Sequence, residues 1–542
     1  MAKKGMTDAS VPLPHSEELP LLHRKEISSS HDEKRSHGNY KSYVLADDID
    51  KIEKGNECPT GAGRNTLTAI PLAVLVFYNV SGGPFGMEQS IRSGGNFFAI
   101  LAYIIAPFIW SVPEAMVTAE LGSAFPEASG AVAWVETAFG KEMGLLSGYL
   151  NWISGATDNA IYPALFLEYV TSIMGHLTAY EKEELTTGFG RFLIVSGISA
   201  LLAGINYRGL EIVGKSSIII CVLSMSPFII MSILGISKID PQRWFQRPST
   251  SESIYDVPTD DLSLIPGPLP VIYMAGIFWR PFLNNVFWNL NSFDAAACFS
   301  AEMRDVKKDY AKGVFIGLIL VVSLYLVPLV VITGATDSLQ HEWVNGHFAK
   351  VAIEIGGPWL GAWTVFAAGI SNLALFEAEM SADALQLMGM AERGYLPKIL
   401  ATRSKKFGTP VYGILIGLVV ITLMSVADFS QLVEMLNLNY ALAIMIEYSA
   451  FVKLRFTHGN LERPYRIPVS KWGSIFFVVP PVAGTFLLFV CSSWTTFIYA
   501  ICVQLVGVIL YKLHHIALAN NWCEFAGSEI DAKTSFVNLD KE

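Results

Sequence analysis

The chain is expected to be an all-α membrane protein of twelve transmembrane helices, built as a five-plus-five inverted repeat with broken helices one and six. Three observations predict this class. Hydrophobic residues make up 52% of the 542 residues and charged residues only 16%, against about 25% charged in soluble domains. After Arg64 the sequence becomes a succession of apolar stretches, each near the roughly 20 residues that a helix needs to cross about 30 Å of hydrocarbon. The first and sixth of these stretches are interrupted at mid-depth by Gly, Pro and polar residues. Interruptions at corresponding places in two halves mark two repeats with a ligand at their interface.

The same composition excludes other classes. Lys and Arg number 38 against 48 Asp and Glu, a net charge of −10, and no basic stretch is interleaved with aromatics, so no nucleic-acid footprint exists. The six cysteines, at 58, 221, 298, 491, 502 and 523, form no CxxC and pair with no His, so no disulfide scaffold, metal site or cofactor is expected. HExxH and GxSxG are absent and the ten His lie almost wholly in tails and loops, which argues against an enzyme.

Residues 1–64 are rich in Ser, His, Lys, Asp and Glu, with no apolar run long enough for a signal peptide, and read as a disordered cytoplasmic tail. Within it, Glu17-Glu18-Leu19-Pro20-Leu21-Leu22 fits an acidic dileucine sorting pattern. The spans are expected near 66–92, 96–123, 142–174, 190–206, 210–236, 280–303, 311–334, 358–388, 410–427, 430–454, 473–491 and 493–513. They group into a first repeat at 65–236, an extracellular loop at 237–279, a second repeat at 280–454, helices eleven and twelve at 473–513 and a cytoplasmic C-terminal tail at 514–542.

Orientation follows the basic residues of short loops. Arg304, Lys307, Lys308 and Lys312 follow span six, Arg393, Lys398, Arg403, Lys405 and Lys406 follow span eight, and Lys453, Arg455, Arg463, Arg466 and Lys471 follow span ten. These exits are therefore cytoplasmic, as are both termini. Asn79-Val80-Ser81 lies at membrane depth, so no N-glycan is expected there.

Span one carries Tyr78-Asn79-Val80-Ser81-Gly82-Gly83-Pro84, where Gly and Pro both disfavour a helix. Unwound backbone at that depth must face protein or a polar cavity, because lipid cannot satisfy its N–H and C=O groups. A proline kink repaired by neighbouring helices is the bland alternative. Span six carries Trp288-Asn289-Leu290-Asn291-Ser292-Phe293-Asp294, a second polar interruption. No direct similarity between the halves is visible, so the symmetry rests on the placement of the two breaks.

Spans three and eight each show a polar stripe at helical spacing. Asn151, Gly155, Asp158 and Tyr162 share one face, and Asn372, Phe376, Glu379, Asp383 and Gln386 share another. Intramembrane carboxylates are costly unless paired or hydrated, which makes a functional role the default reading. Glu379 and Asp383 are candidates for proton coupling; Glu88 and Glu447 are more readily read as boundary residues paired with a Lys or Arg. The candidate binding set is Tyr78, Val80, Ser81, Gly82, Gly83, Asp158, Tyr162, Trp288, Asn289, Asn291, Phe293 and Asp294, with Trp288 and Phe293 offering aromatic faces to an ammonium group.

The run Ala119-Glu-Leu-Gly-Ser-Ala-Phe-Pro126-Glu-Ala-Ser-Gly130-Ala-Val-Ala-Trp134 resembles the signature after the second span of the amino acid/polyamine/organocation superfamily. Val80-Ser-Gly-Gly-Pro84, Phe287-Trp-Asn-Leu-Asn291, Ala378-Glu-Met-Ser-Ala-Asp383, Gly389-Met-Ala-Glu-Arg-Gly394 and Arg463-Pro-Tyr-Arg-Ile-Pro468 further resemble its plant-type polyamine uptake transporters, in the branch similar to L-type amino acid transporters. The resemblance runs from about 60 to 515 and implies a leucine-transporter-type fold importing putrescine, spermidine or related cations, with protons. Ser292-Phe293 stands where that pattern has an aromatic pair, and Lys215 where an apolar residue is expected.

A secondary transporter importing polyamines by alternating access is therefore expected, in the plasma membrane or an endomembrane. Its partners would be a small organic cation, protons and the bilayer, and nothing indicates an oligomeric state. An amino-acid permease of the same fold is the alternative, since the span-one break offers N–H groups to a carboxylate. A non-transporting receptor is the second alternative. Acidic residues in spans three, six and eight favour a substrate with several ammonium groups and no carboxylate. Span eight has no Ser-Thr pair suited to a sodium ion.

Overall fold

The computed structural model describes residues 67–173, 188–246, 273–274, 277–424, 427 and 429–526. The N-terminal tail, the dileucine pattern, Cys58, much of the 237–279 loop, the side chain of Lys215 and residues 527–542 lie outside the described residues.

The protein is helical. Helices α1 (Ala69–Val80), α2 (Glu88–Ile109), α3 (Ser111–Ala124), α4 (Ala131–Phe139), α5 (Lys141–Asn159), α6 (Ile161–Ile173), α7 (Gly188–Asn206) and α8 (Leu210–Gly235) make the first half. Helices α9 (Trp279–Trp288), α10 (Ala311–Ala335), α11 (His347–Gly356), α12 (Pro358–Glu392), α13 (Val411–Met424) and α14 (Phe429–Thr457) follow, and then α15 (Lys471–Cys491) and α16 (Trp494–Ala519). Among the described residues, eight helical stretches are long and apolar enough to cross a membrane. Expected spans one, three, six and nine correspond instead to shorter, interrupted or more polar helices. Large apolar side chains such as Phe108, Phe189, Leu423 and Phe476 point outward and are exposed, the inverse of a soluble surface and what a hydrocarbon solvent favours.

Local chemistry explains the interruptions. Pro163 has no N–H to return to the Asn159 carbonyl, and the chain splits at Ala160, whose N–H bonds to Thr157 O at 3.2 Å. The stretch expected as span three is thus α5 followed by α6. Gly95, at φ 71°, kinks α2 at the expected boundary between spans one and two.

Close backbone approach fixes the first helix. Gly313 and Gly317 form a Gly-x-x-x-Gly stripe on α10; a Cβ there would stand 3.0 Å from Ala69 O and 3.1 Å from Ala73 O on α1, as small residues allow at membrane helix interfaces. α1 packs on α10 and α9 on α2, while α5 packs on α14 and α8 on α12.

One end of the bundle holds a cluster of ion pairs. Glu120 on α3 takes Arg455 at 2.5 Å and Arg463 at 2.9 Å and also accepts Ile467 N–H at 2.8 Å. Arg393 pairs with Glu127 at 2.8 Å and with Glu136, and Arg403 with Glu302 at 2.6 Å. Several of the basic loop residues that set the expected orientation are thus clamps on carboxylates of neighbouring helices.

Candidate substrate site

α1 ends at Val80 and helix resumes only at Glu88, with Gly83 at φ 96° and Gly86 at φ 89° between them. The Val80 carbonyl has no helical partner, because the residue four ahead is Pro84, and only glycine takes those positive φ values without strain. The break is held from two sides: Ser371 on α12 donates to Gly82 O at 2.5 Å, and Asn285 on α9 to Gly86 O at 3.0 Å. A Cβ on Gly83 would run into Met225 on α8, and one on Gly82 would lie 2.6 Å from Ser371 and Leu375.

The second break begins where α9 stops at Trp288. Ser292 is left-handed (φ 76°), and a tight helix covers Phe293–Glu302. Side chains brace this break. Ser111 donates to Leu290 O at 2.6 Å, Asn291 folds back to Phe287 O at 2.7 Å, and Tyr325 donates to Asn289 Oδ1 at 2.7 Å. The N–H groups of Phe293 and Asp294 donate to Glu114 Oε1 at 2.5 and 3.3 Å.

Beside the breaks lies a group of buried carboxylates. Trp288 Nε1 donates to Asp158 Oδ1 at 2.9 Å, and Tyr162 bonds the same carboxylate. Asn159 donates to Asp383 Oδ2 at 3.2 Å, and a Cβ on Gly155 would strike Asp383. Glu379, one turn away, keeps Oε2 buried without a hydrogen-bond partner among the described residues. The polar stripes expected on spans three and eight therefore face each other, with Gln386 also reaching Gly148 O at 3.2 Å.

The candidate residues do not all converge. Asp158, Tyr162, Trp288, Glu379 and Asp383 come together, whereas Tyr78 turns to α8 and bonds Ser224 at 2.9 Å. Asn289 and Asn291 brace the second break, and Val80, Ser81 and Phe293 are buried at the breaks. Asn79 is buried with neither side-chain atom hydrogen-bonded among the described residues.

Two expectations at the edges are corrected. Glu88 forms no ion pair among the described residues; it accepts N–H groups of Gly86 and Gly346 at 2.8 and 3.1 Å and the hydroxyl of Tyr169. Glu447 likewise meets Asn151, at 2.6 Å, rather than a Lys or Arg. Glu114 and its partner Tyr440 escaped the sequence reading. The available signal was a carboxylate in the middle of an apolar span.

The acids near the bundle interior include some that hold an Arg and some that do not. Glu120, Glu127, Glu136 and Glu302 each have an Arg. Glu114, Asp158, Asp294, Glu379, Asp383 and Glu447 are all buried, and among the described residues none forms an ion pair. Charges at such depth must be neutralised by a proton or a cation.

The model of the family described as amino acid permease matches residues 67–509. A probable polyamine transporter of Arabidopsis thaliana is 39% identical over 484 residues, covering 88% of this chain and 93% of the relative. A polyamine transporter of Oryza sativa subsp. japonica is 36% identical over 468 residues, covering 86% and 82%. A branched-chain amino acid permease of Bacillus subtilis is 22% identical over 257 residues, covering 45% and 54%.

Proposed function

Because the chain belongs to the amino acid permease family, we propose that it is a secondary transporter importing polyamines, organic cations of the putrescine and spermidine kind, together with protons and by alternating access. It is a membrane transporter and not an enzyme. The observation that carries the substrate class is the set of buried carboxylates without basic partners among the described residues, Asp158, Glu379 and Asp383 foremost. A carboxylate-bearing substrate would add negative charge to this region, whereas successive ammonium groups neutralise it. Trp288, already bonded to Asp158, would lend its face to an ammonium, and the carbonyls freed at Val80–Gly83 and the second break would supply acceptors. The names of the relatives at 36–39% identity support the same class.

Twelve helices in two inverted repeats are part of this proposal, with both termini in the cytoplasm and the plasma membrane as location. The packing supports it. Exchanging each span of the first half with its counterpart five later turns the one–seven contact (α1 on α10) into six–two (α9 on α2), and three–ten (α5 on α14) into eight–five (α12 on α8). Glu379 and Asp383, where proton coupling is expected from the sequence, then stand beside Asp158 as further carboxylates available to the substrate's ammonium groups.

The test is uptake of labelled spermidine into proteoliposomes, challenged with unlabelled putrescine, arginine and leucine. Competition by putrescine but not leucine is expected. Inhibition by leucine with none by putrescine would replace the polyamine reading with the amino-acid one.

A further inference from the structure

Tyr440 on α14 sets its hydroxyl 2.8 Å from Glu114 Oε1 and 2.5 Å from Asp294 Oδ1. A phenol carries one hydrogen and can donate to only one of these oxygens. The other contact closes only if a carboxyl carries a hydrogen of its own. Glu114 Oε1 already accepts two backbone N–H groups, so the consistent chain runs from an Asp294 O–H to the Tyr440 oxygen and from the Tyr440 O–H to Glu114. Glu114 Oε2 is buried with no hydrogen-bond partner among the described residues. Glu114, Tyr440 and Asp294 are exposed by 1%, 5% and 6%.

The charged and titratable groups facing this trio are Glu447 and Tyr448 on α14, Glu379 on α12, Cys298 of the Phe293–Glu302 segment and Tyr310. Asn151 of α5 holds Glu447. No Lys, Arg or His forms an ion pair with any of these acids among the described residues.

We propose that Glu114, Tyr440 and Asp294 form a single-proton site, distinct from the Asp158–Trp288 seat, that is loaded from outside and emptied inside once per import cycle. The proposal rests on the polyamine-import reading above. One proton taken from outside water makes the O–H bond on the trio, and the same proton is released to cytoplasmic water, leaving two carboxylates. Because Glu114 grips the first two N–H groups after the second break, that release sets like charges between α3 and the Phe293–Glu302 segment and favours their separation. This places the coupled proton away from Glu379 and Asp383, which stay with the substrate's ammonium groups.

The test uses the full-length protein in proteoliposomes carrying an internal pH dye, with spermidine outside. For one proton per cycle, an inward gradient of about one pH unit raises spermidine accumulation about tenfold, and the lumen acidifies as spermidine enters. Glu114→Gln and Tyr440→Phe should each lose both responses while uptake driven by an inside-negative potential persists. Tyr440→Phe, which removes one oxygen from the protein, guards against a misfolded Glu114 variant. Retention of the tenfold response in both variants, or its loss in Glu379→Gln alone, overturns the proposal. Wild-type spermidine uptake with no proton movement also overturns it and leaves the polyamine reading standing, whereas no wild-type spermidine uptake removes that reading and the proposal together.

Discussion

Trp288, the last residue of α9, donates its indole N–H to Asp158 on α5 across 2.9 Å, so the edge of the second helix break is tied directly to a buried carboxylate of α5. Asp158→Asn keeps an acceptor for this bond and removes only the charge. Spermidine affinity should fall by the equivalent of about 2–5 kcal/mol, roughly thirtyfold or more, with unchanged yield of folded protein. Unchanged apparent affinity in an uptake titration would place the ammonium seat elsewhere.

Gly83 combines a left-handed backbone with a Cβ position occupied by Met225. Gly83→Ala should therefore cost about 1–2 kcal/mol through backbone alone, with a further packing penalty. Thermal unfolding in detergent should show Met225→Ala recovering the packing part but not the backbone part when the two are combined, a coupling expected of residues in contact. Wild-type stability of Gly83→Ala would contradict the observed conformation.

What was legible in the sequence was local. Gly82, Gly83 and Pro84 break a helix by their own covalent geometry, and the stripes through Asp158 and Asp383 follow from 3.6 residues per turn. The split at Ala160 was equally local, since Pro163 was in view, but it was masked by a long apolar run. The Glu114–Tyr440–Asp294 arrangement was not legible, because it joins residues 146 to 326 positions apart and no periodicity relates three different elements. Length and hydropathy alone likewise do not yield a helix count, because the helices that carry the breaks are too short or too polar to register as spans.

Glu120 gathers Arg455, Arg463 and the Ile467 N–H in a buried pocket, stitching the segment after α14 to α3. Glu120→Ala would leave two guanidinium groups buried without their carboxylate, a loss of about 3–5 kcal/mol. Detergent-solubilised yield and melting temperature should drop sharply. A variant with native stability would show that the clamp contributes nothing net.

His347 begins α11, outside the expected spans. Its Nε2 lies 2.8 Å from Ser338 Oγ, and its Nδ1 is buried without a partner among the described residues. Burial, followed by the Lys350 ammonium, holds it below its ordinary value of 6.5, against the opposing pull of Glu342 and Glu354. For a base depressed by folding, the contribution to stability is complete above the unfolded value and is lost as pH falls through it toward the lowered folded value. Amides of the 338–357 segment should therefore exchange faster at about pH 5.5 than at about pH 7.5 after correction for intrinsic rates, and His347→Gln should flatten that difference. Equal protection at both pH values in the wild type would rule out the titration.

The most direct measurement is the charge moved by the purified protein, reconstituted in proteoliposomes adsorbed on a solid-supported membrane, after rapid jumps to spermidine or leucine. A polyamine importer gives a current of inward positive charge with spermidine, abolished in Asp158→Asn, and no current with leucine. A current or tracer flux evoked by leucine, with none from spermidine, would contradict the assignment of the buried carboxylates to ammonium groups.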